Sequence, residues 1–423
     1  MKKLIEKLRL ILGDQTLKKK ILFLLGALVI FRFFAVIPIP GIDPGRLQAF
    51  FAGNEFLGLL NLFSGGGLSN LSIIMLGVAP YITASIIMQL MTIMSPKLKA
   101  LYQEEGDAGR RKFAQYSRLL TVPLAIIQGF SFLTLLTRQN VIEPLSLFEM
   151  IVNLSLITAG SMLLMWLGEL ISEFGIGNGV SIIIFAGIVA SLPATLSQLI
   201  FTFDPSQIPL YLAFLVAAIL VVFGVVVITE AERPIPITYA KRVRGMKVYG
   251  GISTYLPLRL NQAGVIPIIF ALSILLFPQM IFNFLSGVDS SIVQTVAGFI
   301  LGILSNQWFY SILYFLLVFL FTYFYTAVTF DPDTLANNLQ RSGAFIPGVR
   351  PGQPTSHHIA KILTRLTLVG ALFLGLIAVL PILIGGLTGI QALTIGGTGL
   401  LIAVSVVLDL VKKVDAQVSI REY

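Results

Sequence analysis

Ten stretches of this chain are long and apolar enough that water is a poor solvent for them, and few folds can accommodate that. They lie at residues 21–37, 71–93, 117–137, 147–171, 179–200, 209–229, 263–285, 308–329, 363–384 and 394–411. A helix crossing a bilayer takes about 20 mostly apolar residues. Composition agrees: 56% of the 423 residues are hydrophobic, 12% are charged, and the mean hydropathy is +0.91, whereas soluble domains carry about 25% charged residues. The expected fold is therefore an all-α polytopic membrane protein with ten transmembrane helices. Two more apolar pieces are too short to span, residues 55–63 and 292–304, and the second has a length suited to the membrane interface. With no cysteine in the chain, disulfides, cysteine metal sites and thiol chemistry are excluded.

Charge sets the orientation. With the N-terminus inside, 26 of the 29 Lys and Arg residues fall on the cytoplasmic side. Only Arg46 and Arg138 fall outside, and Arg32 lies late in the first span. Positive charge retained on the inner face is the rule for such proteins, so both termini are expected in the cytoplasm. The stretch MKKLIEKLRLILGDQTLKKK is basic and amphipathic, and no small-residue cleavage site follows the first span. Residues 1–20 thus read as a retained cytoplasmic helix, not a signal peptide. A cytoplasmic tail occupies 412–423.

The spans divide into two sets of five. GVAPYITASII (Gly77 to Ile87) and GVIPIIFALSI (Gly264 to Ile274) agree at six of eleven positions. They sit in the second and seventh spans, which run in opposite directions under this topology. Gly/Pro-interrupted spans at matching positions mark inverted repeats and point to the functional seam. The halves are expected at 21–200 and 201–411, with Pro80 and Pro267 bending their helices.

Intramembrane chemistry has little to work with. Glu169 and Glu230 lie near cytoplasmic ends, Asp409 ends the last span, and His357 and His358 belong to a cytoplasmic loop. Ion-coupled transport needs ionisable groups at mid-membrane, and the chain offers almost none there. The SGGG stretch lacks the Lys-Ser/Thr of a phosphate loop. No enzyme, cofactor or metal site is expected. The seam offers branched aliphatics instead, and a narrow aliphatic ring excludes water and ions by dewetting.

One stretch resists this pattern. NLFSGGGLSNLSII (Asn61 to Ile74) places glycines, serines and asparagines where lipid penalises every unpaired backbone group. It belongs to a group of long motifs that includes FRFFAVIPIPGID (Phe31 to Asp43), EEGDAGRRKFAQYSR (Glu104 to Arg118) and MWLGELISEFGIGNGVSIIIFAGIVASLP (Met165 to Pro193). SGAFIPGVRPGQPT (Ser342 to Thr355) and TRLTLVGALFL (Thr364 to Leu374) complete the group. From about residue 20 to 415 the chain resembles the bacterial SecY family, the channel subunits of the Sec translocon.

That resemblance implies a clamshell of two inverted five-helix halves around a protein-conducting pore in the bacterial cytoplasmic membrane. It implies a short re-entrant plug helix at about 56–68, with Phe56, Leu60, Asn61, Phe63, Ser64 and Leu68 in the plug and Gly65, Gly66 and Gly67 as its hinge. The family's pore ring corresponds to Val78, Ile82, Val180, Ile184, Ile269 and Ile402, two of them valine where isoleucine is usual. Thr83, Gln89, Gln128 and Asn261 are the implied polar groups of a lateral gate, through which apolar segments leave for the lipid. The implied partners are SecE- and SecG-like small subunits, the SecA motor ATPase, the ribosome, signal sequences and preproteins. Motor and ribosome would dock on the basic loops at about 231–262 and 330–362, through Lys241, Arg242, Arg244, Lys247 and Arg350. Met246 stands where the family commonly has a basic residue. An RNA contact there would weaken with salt. The alternative is a secondary transporter with inverted repeats, disfavoured by the missing mid-membrane charges.

Overall fold

The computed structural model describes residues 14–40, 61, 64–103, 105–138, 141–201, 208–240, 242–244, 247–249, 253–285, 291–388 and 391–422. A helix stands in each of the ten apolar segments. The first half contributes α1 (Gln15–Val36), α2 (Ala79–Met94), the short α3 (Pro96–Gln103), α4 (Gly106–Arg138), α5 (Leu147–Phe174) and α6 (Gly179–Phe201). Next come α7 (Ile208–Glu230) and four strands, β1 (Glu232–Tyr239), β2 (Arg242–Arg244), β3 (Lys247–Tyr249) and β4 (Ser253–Arg259). The chain continues with α8 (Ile266–Leu285), α9 (Ser291–Ser305), α10 (Gln307–Thr329), α11 (Pro332–Arg341), β5 (Ala344–Phe345), α12 (Gln353–Thr388) and α13 (Gln391–Glu422). Among the described residues, α4, α5, α10 and α12 are each long and apolar enough to cross a membrane.

Local chemistry sets the helix starts. Asp14 opens α1, its carboxylate accepting from the Thr16 and Leu17 amides at 2.8 and 3.4 Å, which satisfies N–H groups that the first turn leaves free. The helix takes in Lys18, Lys19 and Lys20, so the end of the basic segment expected over 1–20 runs directly into the first span. Residues 1–13 lie outside the described residues. Ser146 and Glu149 form a capping box at the head of α5, each side chain bonding the other's backbone amide.

The second span starts later than its hydropathy suggests. Apolar residues begin at Leu71, but residues 64–78 run as turns and α2 begins only at Ala79. Gly77 takes a left-handed φ of +60°, and Gly264 ahead of α8 takes +63°, a backbone state open to glycine. The repeat mates therefore share one local device. Each glycine turns the chain, each helix begins two residues later, and each proline is the second helical residue. The first-turn bonds match as well: the Ile82 amide donates to the Val78 carbonyl at 3.0 Å, and the Ile269 amide to Val265 at 3.3 Å. The expectation that Pro80 and Pro267 bend their helices is corrected here. In the first turn a missing N–H costs nothing, because no intrahelical acceptor exists for it.

The chain divides into two compact units, one of Met1–Phe214, Leu272–Tyr310 and Pro381–Tyr423, the other of Leu215–Ala271 and Ser311–Leu380. In the first unit α4 packs on α2 and α5, and α6 packs on α5 and α13. Glycines permit the closest approaches. A Cβ on Gly160 of α5 would fall on the carbonyl oxygen of Ile73, and one on Gly179 of α6 on that of Gly168. Small residues at such crossings let backbones meet, which is how helices associate without a hydrophobic drive.

The second unit shows that the chain is mostly helical but not all-α. Its 231–262 and 330–362 loops build a three-stranded antiparallel sheet in the order β4-β1-β5, while β2 and β3 form a separate hairpin. The cause is a period-2 pattern in ERPIPITY, where Ile235 and Ile237 are buried, Pro234 and Pro236 exposed and Thr238 half-buried. Pro234 pairs with Pro257, so two residues without an N–H share one rung and the ladder loses least. Ile235, Leu258, Ile346 and Ile359 form a core that Leu335 and Leu339 of α11 and Ile362 of α12 extend. Each fully buried aliphatic of this kind stabilises the fold by about 1.5–3 kcal/mol. These loops have a hydrophobic core of their own.

Candidate functional site

The polar stretch after the first span forms a closed set of turns. Gly65 and Gly66 take left-handed φ values of +66° and +81°. The Gly66 amide donates to the Asn61 carbonyl at 2.9 Å and the Ser72 amide to the Gly67 carbonyl at 2.8 Å. Side chains supply the rest: the Leu68 amide donates to Ser64 Oγ and the Ser69 amide to Asn61 Oδ1, each at 2.9 Å. The segment is tied to the end of α1, because the Ile39 amide donates to Leu71 at 2.8 Å and the Ile73 amide to Ile37 at 3.1 Å. Ser64, Gly65, Gly67 and Leu68 are buried. Irregular backbone is stable at membrane depth when its polar groups are satisfied and protein surrounds it. Of the expected plug residues, Phe56, Leu60 and Phe63 lie outside the described residues.

The expected ring residues are mostly interior. Val78, Ile82, Ile184 and Ile402 belong to the first unit and are buried, at 0, 5, 1 and 3% exposure. Ile184 and Ile402 sit on α6 and α13, which pack together. Val180 is half-buried, and its Cγ2 lies 3.1 Å from where a Cβ on Gly168 would stand, so this side chain packs on α5. Ile269 belongs to the second unit and is buried.

The expected gate groups divide likewise. Thr83 is buried, and its hydroxyl donates to its own helix at the Ala79 carbonyl, 3.0 Å away. Gln89, half-buried on α2, keeps a buried Oε1 without a hydrogen-bond partner among the described residues. Gln128 is buried on α4, a helix that packs on α2. Asn261, in the second unit, donates from Nδ2 to the Gly264 carbonyl at 3.1 Å and leaves Oδ1 buried without a partner among the described residues. Such unpaired amide oxygens are ready acceptors, since burial without a bond costs about 1–3 kcal/mol.

Among the expected docking residues, Arg350 is exposed on the turn between β5 and α12. Its base is firm: the Arg350 carbonyl accepts from Thr355 Oγ1 at 2.8 Å, and the Val349 amide donates to Ile346 at 3.0 Å. Arg242, Arg244 and Lys247 lie on the hairpin, where Arg244 pairs with Lys247 across its tip. Lys241 and Met246 lie outside the described residues.

Two features were not assigned from the sequence. Arg118 of α4 donates from Nε to Glu169 of α5 at 2.6 Å, joining two charges that read only as topology markers in the chain order. Arg32 of α1 donates from Nη1 to the Gly65 carbonyl at 2.9 Å. A lone cation in an apolar span was the available signal, but its acceptor lies 33 residues away and is backbone.

The SecY family model matches residues 72–411. The protein translocase subunit SecY of Mycobacterium leprae (strain TN) is 42% identical over 428 residues, covering 96% of this chain and 96% of that relative. Among solved structures, one described as "The structure of a protein conducting channel" superposes with a TM-score of 0.66 at 21% identity, covering 96% of this chain and 93% of the other. Another concerns "The plug domain of the SecY protein", with a TM-score of 0.65 at 19% identity and the same coverage. A third is Sec61 in a canine ribosome-channel complex, with a TM-score of 0.61 at 20% identity and again 96% and 93% coverage. At those identities the structures speak to the fold alone, and the longer relationship in sequence carries the family. On the family match and the 42% identity, this chain belongs to the SecY family.

Proposed function

We propose that the chain is the protein-conducting channel of a bacterial cytoplasmic-membrane translocase. It passes unfolded preproteins across the bilayer and releases apolar segments sideways into lipid. The observation that carries this is the 42% identity maintained over 96% of both chains with a protein translocase subunit. The work is mechanical, with no bond made or broken by the chain.

Ten helices in two inverted halves would enclose a waist formed by Val78, Ile82, Val180, Ile184, Ile269 and Ile402. Aliphatic side chains there repel ions when no substrate is present and yield to a passing polypeptide. Residues 56–68 would plug the outer side of the waist, and Thr83, Gln89, Gln128 and Asn261 would line the lateral gate. Membrane hydrogen bonds average about 0.6 kcal/mol and reach about 2, so a signal sequence can part such a seam. Arginine or aspartate at the centre of a segment opposes lipid entry by about 2.5–3.5 kcal/mol, whereas each leucine favours it by about 0.3–0.6. A segment of about 20 residues is thereby sorted decisively.

SecE- and SecG-like subunits would complete the channel, and the SecA motor or the ribosome would dock on the basic loops. A ribosome partner is supported by the fold shared with the channel of the canine ribosome complex. A transporter reading is not favoured, because the sequence offers almost no ionisable groups at mid-span for ion coupling.

Single-channel conductance of the reconstituted complex tests the seal. Deleting Phe56 to Leu60 removes plug mass while sparing the bonded turn at 64–73, and resting conductance should rise. Replacing Ile82 and Ile269 together by Gly should also raise it, by about tenfold if the ion barrier falls by about 1.4 kcal/mol. A solute-uptake signal without preprotein passage would sink the channel assignment.

A further inference from the structure

We infer that Arg32 is a latch for the closed channel: its guanidinium grips the Gly65 carbonyl and fixes the junction between the plug and the second span. This rests on the plug assignment proposed above.

Two adjacent residues of α1 engage two adjacent glycines. Arg32 Nη1 donates to the Gly65 carbonyl at 2.9 Å. Phe31 is buried at 1% exposure, and its ring occupies the space that a Cβ on Gly65 would need. That same Cβ position lies 3.2 Å from the Cα of Gly187 on α6. The same position on Gly66 lies 3.5 Å from Arg32 Nη1. The left-handed backbone at both glycines turns the Gly65 carbonyl out of its own chain and toward the cation. Side chains at 65 or 66 would be strained there.

Arg32 is exposed, late in the first span. A cation in a spanning helix is costly and persists where it has a partner and a task. The guanidinium never loses its charge, and its fork of donors can hold a carbonyl firmly. The other ties between α1 and this segment are backbone bonds at Ile37 and Ile39 and the Asn70 amide to the Ala35 carbonyl at 3.3 Å. They secure the side near the second span. Arg32 secures the end nearest the plug. Within this second set of ties, Leu71, whose carbonyl accepts the Ile39 amide, is buried with a left-handed φ of +45°. A non-glycine residue stays in that region only when its surroundings hold it there. A junction restrained in this way favours the plugged state until the Arg32 bond is released.

The test is resting ion conductance of the complete reconstituted complex carrying Arg32→Leu, Arg32→Lys, the Phe56 to Leu60 deletion, or Arg32→Leu combined with that deletion. Arg32→Leu should raise conductance about tenfold, the factor expected for loss of one charged hydrogen bond. Arg32→Lys, which keeps a charged donor, should raise it less. In the deletion background Arg32→Leu should add nothing, since the latch then has no plug to hold. Unchanged conductance in Arg32→Leu, alongside a raised value in the deletion, overturns the latch and leaves the plug standing. Additive increases also overturn it, because Arg32 would then act elsewhere. An unchanged deletion shows that the plug assignment itself has failed, and the latch with it. If neither Arg32 variant accumulates, Arg32 serves folding and the inference is overturned.

Discussion

Replacing Arg350 by Glu is expected to lower motor-driven export about tenfold to a hundredfold, equivalent to about 1.4–3 kcal/mol of lost docking energy, while the protein still accumulates. Arg350 is exposed on a turn whose inner residue, Ile346, is buried with Ile235, Leu258 and Ile359. The turn holds itself through the Thr355 hydroxyl and the Val349 amide, so the substitution alters charge at a tip and leaves the core intact. Reversing the sign exchanges an attractive field for a repulsive one, which costs more than neutralisation. Preprotein uptake by vesicles bearing the variant, driven by SecA, measures the effect, and thermal unfolding of the same sample checks the fold. Wild-type uptake would remove Arg350 from the docking surface.

Gly179→Ala is expected to prevent accumulation of the folded protein, with Gly160→Ala close behind. At each site the added methyl would meet a backbone carbonyl, that of Gly168 or of Ile73, and no rotamer change can withdraw a carbonyl. Relief requires α6 to move away from α5, or α5 from the turn before α2. Overpacking of this kind costs about 1–3 kcal/mol or more, a large share of the 5–15 kcal/mol that holds a typical domain. Gly26→Ala is the matched control: nothing stands within 4 Å of its added methyl, and alanine favours a helix by up to about 1 kcal/mol over glycine. Membrane yield and unfolding temperature of the three variants decide it. Equal yields would mean that these crossings are slack.

The clearest point of agreement between chain order and structure is the set of helices. Residues 147–171, for instance, became α5 (Leu147–Phe174), opened by the capping box that SLFE spells out. The 77–87 and 264–274 repeat was legible too, and its mates share turn, proline position and first hydrogen bond. Less legible was the sheet. ERPIPITY alternates, but two prolines in eight residues argue against a strand, and only the pairing of Pro234 with Pro257 shows how they are tolerated.

That a helix stands in each apolar segment was determined by the sequence alone, because a run of apolar side chains and its flanking charges act over one or two turns. Tertiary structure alone decided which backbone carbonyl Arg32 would hold, that Gly160 would meet Ile73, and that Ile235 would share a core with Ile359. Those partners are far apart in the chain, and whether two distant groups meet depends on the path of everything between them.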